Sequence, residues 1–179
     1  MRRLSMRAAL RISLIGVATV LVSGGIVGAA AEPDHGNRLE ATFTETRLAV
    51  QDRPDLGIRQ VISKGTGSLD GFGAATEIGA VSIDLAVTPC GPGSSTSTIM
   101  RRIVVSQGTL VVKTLAHRCP TPTGLLATGE FQVDGASSTG VFAGAWGTGS
   151  EETEIAPAPA SPIVTISGKL HLAQPGDGD

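Results

Sequence analysis

Aromatic residues are scarce in this sequence, which has no tyrosine, one tryptophan and four phenylalanines among 179 residues. The core must therefore be mainly aliphatic, and a pocket would offer a ligand little surface for ring stacking. Charged residues are also few, at 17% of the chain, whereas apolar residues reach 41%. This composition excludes an intrinsically disordered chain, because such chains are poor in apolar residues and rich in charge.

Acidic residues are absent from the first 31 positions, which carry four arginines, then an uncharged apolar run, and finally three alanines at 29–31. This order is typical of a signal peptide that is cleaved after Ala31. An uncleaved membrane anchor is the alternative, because about 20 apolar residues can span a bilayer. The sequence therefore predicts a signal peptide over residues 1–31 and an exported protein, either secreted or located in the periplasm or cell envelope.

Basic residues are outnumbered once the signal peptide is set aside. Four of the 14 basic residues and none of the 16 acidic ones lie in it, so the remaining chain carries ten against sixteen, a formal charge of −6. A mildly acidic domain has no electrostatic reason to bind nucleic acid or anionic lipid. We expect neither partner, and no membrane association after cleavage. The sequence does not indicate an oligomeric state.

Only two cysteines occur, Cys90 and Cys119. In an exported protein such a pair predicts a disulfide, and closing a loop of about 30 residues stabilises by roughly 2–4 kcal/mol. Two free thiols or a metal pair are the alternatives. The metal pair fits least, because zinc ligands are usually spaced much more closely, and the three histidines (His35, His117 and His171) also lack ligand spacing. We expect no metal and no cofactor.

Apolar residues recur at every second position along much of the chain after residue 37, which is typical of strands with one buried face. No window shows an apolar period of 3.6 residues, so helix should be nearly absent. The predicted strands span residues 38–50, 57–64, 80–88, 99–105, 110–117, 125–133, 138–148 and 163–172.

About eight strands in fewer than 150 residues indicate an all-β fold. We expect a mainly antiparallel, closed or nearly closed β-barrel, with a two-sheet β-sandwich as the alternative. The barrel should span residues 38–172, after a flexible leader at 32–37 and before a disordered tail at 173–179. Residues 150–162 contain three glutamates and three prolines, and they are predicted to form an exposed loop.

Two glycine-rich stretches carry a resemblance to a known family. Residues 139–147, with the sequence TGVFAGAWG, resemble a motif of the allene oxide cyclase and dirigent barrel superfamily, and residues 67–73, GSLDGFG, are similar to a glycine signature of its bacterial members. The chain departs from the motif at Ser137 and Ser138, where two glycines are usual. The resemblance covers roughly residues 40–172 and implies a barrel fold.

The same resemblance implies little about activity, because a fold does not determine function. Members of the superfamily include cofactor-free cyclases, which hold an apolar substrate in the barrel cavity, and proteins that steer phenoxy-radical coupling. No catalytic residue of those members matches a position in this sequence, so the catalytic residues are unknown.

Three aromatic residues, Trp146, Phe142 and Phe131, are the candidates for lining a ligand pocket. For Trp146, packing in the core is the favoured interpretation and a pocket or a plug at the barrel end the alternative. These residues would contribute apolar contact surface, since no polar ligand-binding motif accompanies them.

Charged residues near the predicted strands are candidates for chemistry. The acids are Glu77, Asp84, Glu130 and Asp134, and a carboxyl group inside an apolar cavity would have a raised pKa suited to acid–base work. Asp84 and Glu130 alternate with the apolar positions, so we expect both to face solvent. In the Arg101–Arg102 pair one side chain must face outward, and a solvated arginine is expected.

The leading functional hypothesis is a module that binds a small apolar molecule, which would include a cofactor-free cyclase or isomerase. The rival is a structural or interaction protein of the cell envelope, whose barrel is filled by its own side chains. Whether the protein is an enzyme is not indicated. Cavity size discriminates between the hypotheses, because a ligand site needs roughly 300 Å³ of mostly apolar space.

Overall fold

The computed structural model of the protein describes residues 38–173, and most of these residues lie in β-strands. Nine strands occur: β1 (Leu39–Arg53), β2 (Ile58–Leu69), β3 (Gly73–Asp84), β4 (Ser95–Val105), β5 (Gly108–Thr121), β6 (Gly124–Val133), β7 (Thr139–Gly140), β8 (Trp146–Ile155) and β9 (Ile163–His171). One 3-10 helix, Pro54–Leu56, is the sole helix within this range, so the expected scarcity of helix is confirmed there.

Three predicted segments lie wholly or mostly outside residues 38–173. The signal peptide at 1–31, the leader at 32–37 and residues 174–179 of the tail are not among the described residues. Between residues 38 and 173, no helix has the length and apolar character needed to cross a membrane.

Eight of the strands close into an antiparallel barrel. Their order around it is β1, β2, β3, β4, β5, β6, β8 and β9, and β9 pairs again with β1, from Leu39 opposite Gly168 to Thr44 opposite Ile163. The remaining strand, β7, is not part of the barrel and pairs only with the start of β5. The predicted closed barrel is confirmed, because the pairing is continuous around the eight strands, and closure removes the exposed edges that invite aggregation.

Two predicted segments around β8 are wrong. The strand expected at 138–148 is instead the two-residue β7, a turn and the first residues of β8. The loop expected at 150–162 is strand as far as Ile155. The inward residues of this part of β8, Glu151 and Thr153, are polar, so the apolar alternation that marks other strands is missing.

One half of the barrel interior is filled by apolar side chains. We call it the apolar end, and its buried residues include Leu39, Phe43, Leu69, Ile103, Leu110, Phe131, Phe142, Val164, Ile166 and Leu170. The ring of Phe131 lies against two glycines, since a Cβ atom at Gly149 or Gly168 would come within 2.6 or 2.8 Å of it. The few aromatic side chains are therefore accommodated where the strands carry no side chain of their own.

The opposite end of the barrel, where β1 ends and β9 begins, is stapled by a disulfide. We call this end the mouth. Cys90, in the loop between β3 and β4, is bonded to Cys119 near the end of β5, with the two Cα atoms 5.7 Å apart. The predicted disulfide is confirmed, and it attaches this loop to the last residues of β5.

Candidate functional site

A cluster of charged side chains is buried halfway along the barrel. Its members are Arg101 on β4, Glu45 on β1, Glu77 on β3 and Glu151 on β8, and we call these four residues the charge cluster. Each occupies an inward position on its strand, so side chains from distant parts of the sequence meet inside the barrel. Arg101 is 1% exposed and Glu77 is fully buried.

The guanidinium of Arg101 donates hydrogen bonds to all three carboxyl groups. Nη1 donates to Oε1 of Glu45 and to Oε1 of Glu77, the latter at 2.6 Å. Nε and Nη2 both donate to Oε1 of Glu151, at 2.9 and 2.8 Å. Hydrogen bonds between ionised partners are roughly twice as strong as neutral ones, so these contacts hold the cluster in one arrangement.

Hydroxyl groups complete most of the cluster. Ser63 Oγ donates to Glu45 Oε1 at 3.0 Å, and Thr114 Oγ1 donates to Glu151 Oε2 at 2.5 Å. Glu77 Oε2 is the exception, because no group among the described residues forms a hydrogen bond with it. The space around these atoms depends on Gly79, where a Cβ atom would lie 2.6 Å from Ser63 Oγ and 2.7 Å from Glu77 Oε1.

Three carboxyl groups share one cation, so the cluster would carry excess negative charge if all of them were ionised. Burial raises the pKa of Glu77 to about 7, the charge of Arg101 opposes this rise, and the charge of Glu45 adds to it. Burial acts to lower the pKa of Arg101, but Glu151 and Glu45 outweigh it and the pKa is raised overall. Arg101 therefore stays charged, while Glu77 can exchange a proton near neutral pH.

A cavity of about 60 Å³ lies between the charge cluster and the mouth, and we call it the mouth cavity. Ser97, which lies four residues before Arg101 on β4 and therefore nearer the mouth, lines it, and its buried Oγ atom has no hydrogen-bond partner within the described range. The walls are mainly apolar, and they include Val61, Val81, Ile83, Ile99, Ala127 and Ile155. Its volume is far below the roughly 300 Å³ expected for a site that encloses a ligand.

The rim of the mouth cavity is positively charged. Arg47 from β1 and the half-buried Arg118 from β5 both line it. Burial lowers the pKa of Arg118, and the charges of Arg47 and Arg59 lower it further. The cavity therefore has a basic rim and apolar walls, and its floor is formed by Glu45 and Arg101 of the charge cluster.

The three aromatic candidates lie away from the mouth cavity. Phe131 and Phe142 are fully buried in the apolar end, whereas Trp146 is 62% exposed. The prediction of core packing for Trp146 is wrong, because the alternation along β8 turns the neighbouring Gly147 inward and the Trp146 side chain outward, where it stacks on His171 with ring centroids 3.7 Å apart. A role for the three residues in ligand binding stays a prediction.

The charged candidates also divide into exposed and buried residues. Asp84 and Glu130 are exposed, as predicted, and so is Arg102. The expectation of a solvated arginine is wrong for Arg101, which alternation places inside the barrel. A sequence signal for this existed, because Arg101 is in phase with Ile99 and Ile103, both of which are buried.

Candidate metal ligands do not come together in the described part of the chain, where no group of three or more His, Cys, Asp or Glu side chains is arranged to hold a metal ion. Comparison of the chain with protein-family models and with curated proteins found no match.

Proposed function

We propose that the protein binds a small molecule at the mouth cavity, with an apolar part of the ligand against the walls and a polar atom at the floor. The observation that carries this proposal is the buried charge cluster directly below a cavity with apolar walls. Burying charges costs more free energy than burying apolar groups of the same size, so such clusters are weak devices for stability and are common at functional sites.

The size of the cavity limits the ligand. A volume of about 60 Å³ admits a segment of a few atoms, so the remainder of the ligand must lie at the rim. The unpaired Ser97 hydroxyl supports a polar contact within the cavity, because a buried hydroxyl without a partner costs free energy that a ligand atom would recover. The cavity does not meet the criterion of roughly 300 Å³ set for a small apolar ligand, so the proposal is narrowed to a ligand that only partly enters the barrel.

A cofactor-free cyclase or isomerase is the form of catalysis that this site would suit. Glu45 lines the mouth cavity and shares Nη1 of Arg101 with Glu77, whose pKa lies near 7. Glu45 would move a proton to or from a bound substrate, while Arg101 holds the Glu45 carboxyl group in position.

Membership of the allene oxide cyclase and dirigent barrel superfamily is part of the same proposal. The two stretches that carry the resemblance meet at the apolar end, where the rings of Phe72 and Phe142 have centroids 4.8 Å apart. This contact supports a packing role for both stretches. The disulfide supports export, because such bonds persist mainly in oxidising compartments.

A structural or interaction protein of the cell envelope is the second candidate. The observation in its favour is the dense packing of the apolar end together with the small volume of the mouth cavity. Under this hypothesis the cavity holds only water and the charge cluster has no ligand.

The experiment that separates the two functions fills the mouth cavity. Ala127, which is 4% exposed and lines the cavity, is replaced by leucine, and the exposed neighbour Thr128→Leu serves as the matched control. Fragments of three to eight heavy atoms are screened by NMR against all three proteins. We expect shifts at Val61, Ser97 and Ala127 in the native protein and in Thr128→Leu, and their loss in Ala127→Leu.

The opposite outcome would support the second candidate. If no fragment shifts the cavity resonances at millimolar concentration, and native mass spectrometry of the protein from its source detects no bound molecule, the small-molecule proposal fails. An intact fold in Ala127→Leu, checked by its amide spectrum, ensures that lost binding reports on the filled cavity.

A further inference from the structure

Two arginines stand at the rim of the mouth cavity on different strands. Arg47 lies two residues beyond Glu45 on β1, which places it about 7 Å nearer the mouth. Arg118 lies on β5 between the partner positions Ser95 and Ala127, and it precedes Cys119, whose disulfide holds this strand end. Both side chains line the same cavity, so their guanidinium groups face one opening.

Neither of these two arginines has an anionic partner among residues 38–173. Arg101 below them is bonded to three carboxyl groups, and Arg59 beside them is bonded to Asp52 at 2.6 and 3.2 Å. A half-buried cation without a counter-charge is unfavourable, and a second arginine at the same opening increases the cost. The rim therefore offers donors for an anion that the described chain does not supply.

The charge cluster determines where that anion would lie. Carboxyl groups outnumber cations in the charge cluster beneath the cavity, so an anion is repelled from the floor and attracted to the rim. The apolar walls lie between the two, and they suit a short apolar group. This order of charge along the barrel axis orients an amphipathic ligand with its apolar group inward.

We propose that the mouth of the barrel binds an amphipathic organic anion, whose acidic group is held by Arg47 and Arg118 while its apolar end enters the mouth cavity. The inference rests on the proposed function, and it names the chemical class of the ligand and the residues that select for it. Guanidinium groups suit this role because they present several donors in a planar fork that matches acidic oxygens.

The experiment compares three probes of the same chain length: 1-hexanesulfonate, 1-hexanol and hexylammonium. The sulfonate stays ionised across the usable pH range, so its charge is constant. Binding is measured by calorimetry and by NMR shifts at low ionic strength. We expect the sulfonate to bind at least about tenfold more tightly than hexanol, hexylammonium to bind more weakly than hexanol, and the preference for sulfonate to fall as salt is added.

Variants assign the preference to the rim. Arg118→Gln and Arg47→Gln should each reduce the affinity for the sulfonate several-fold and leave hexanol binding unchanged, and Arg118→Lys should retain most of the preference. Arg102→Gln is the matched control, because it removes the same charge from the outer face of β4. Retention of the full preference in both the Arg118→Gln and Arg47→Gln variants would overturn the inference.

The outcomes also separate this inference from the proposed function. If hexanol and the sulfonate bind at the mouth cavity with equal affinity, the proposed function stands and the anion selectivity is wrong. If none of the three probes shifts the cavity resonances, both are wrong.

Discussion

The two halves of the barrel interior differ in their side chains, which are apolar in one half and charged in the other, although the same strands supply both. On β4, Ile103 belongs to the apolar end, whereas Arg101, two residues earlier, belongs to the charge cluster. The apolar end gains its stability by removing side chains from water, which is nearly independent of pH. In the charged half, three carboxyl groups share one guanidinium. The stability of this half must therefore change when the carboxyl groups gain or lose protons. The two halves of the interior therefore differ in how their contribution to stability depends on pH.

The largest expected effect tests this contrast directly. Arg101→Met leaves buried carboxyl groups without their cation, which should cost about 3–5 kcal/mol of unfolding free energy at pH 8. Ile103→Ala should cost about 2–5 kcal/mol through lost packing. The two losses differ in pH dependence: the first should shrink at pH 4.5, where the carboxyl groups can protonate, and the second should not.

Urea unfolding of both variants and the native protein at the two pH values provides the measurement. Equal losses at pH 4.5 and pH 8 for Arg101→Met would show that the cluster behaves like an ordinary core, and the contrast between the halves would fail.

Glu77→Gln should produce the next largest effect. Because the pKa of Glu77 is about 7 in the folded protein and near the ordinary glutamate value of 4.5 when unfolded, the folded state holds this proton more tightly. The resulting stability is fully present below pH 4.5, declines as the pH rises towards 7, and is lost above it. The total is about 3 kcal/mol. The glutamine variant lacks this titration, so its stability relative to the native protein should rise between pH 4.5 and pH 8.

The matched control for this titration is Glu130→Gln, which changes an exposed carboxyl group on β6. Its unfolding free energy should follow the native pH profile. Parallel profiles for the native protein and Glu77→Gln would contradict the assignment of the titration to Glu77.

Much of the fold was predictable because most strands alternate apolar and polar residues. On β5 the alternate residues Leu110, Val112, Thr114 and Ala116 are all buried on the inner face, as alternation requires. Alternation failed for the later part of β8, where Glu151 and Thr153 occupy inward positions. Their polarity is explained by Arg101, which is 50 and 52 residues away in the sequence, so local patterns did not contain the information.

The charge cluster was hidden from sequence analysis for the same reason. Glu45 follows the inward series Leu39, Ala41 and Phe43, so its position inside the barrel was readable from β1 alone. Its partner was not readable, because which strands face each other across a barrel depends on closure and stagger. Sequence patterns can therefore show that a charged residue points into the barrel. They do not show which other residues it contacts there.

The smallest expected effect is that of Trp146→Ala, and Phe142→Ala provides the comparison with a buried aromatic residue. Phe142 is fully buried and contacts Phe72, so Phe142→Ala should cost about 3–5 kcal/mol. Trp146→Ala removes a side chain that is 62% exposed and stacks on a cross-strand partner, a contact of about 0.2–1 kcal/mol. Urea unfolding of the two variants, followed by circular dichroism because one lacks the only tryptophan, measures both losses. A loss above about 2 kcal/mol for Trp146→Ala would mean that the outer surface of β8 and β9 also supports the apolar end, and that its stability does not come from the interior alone.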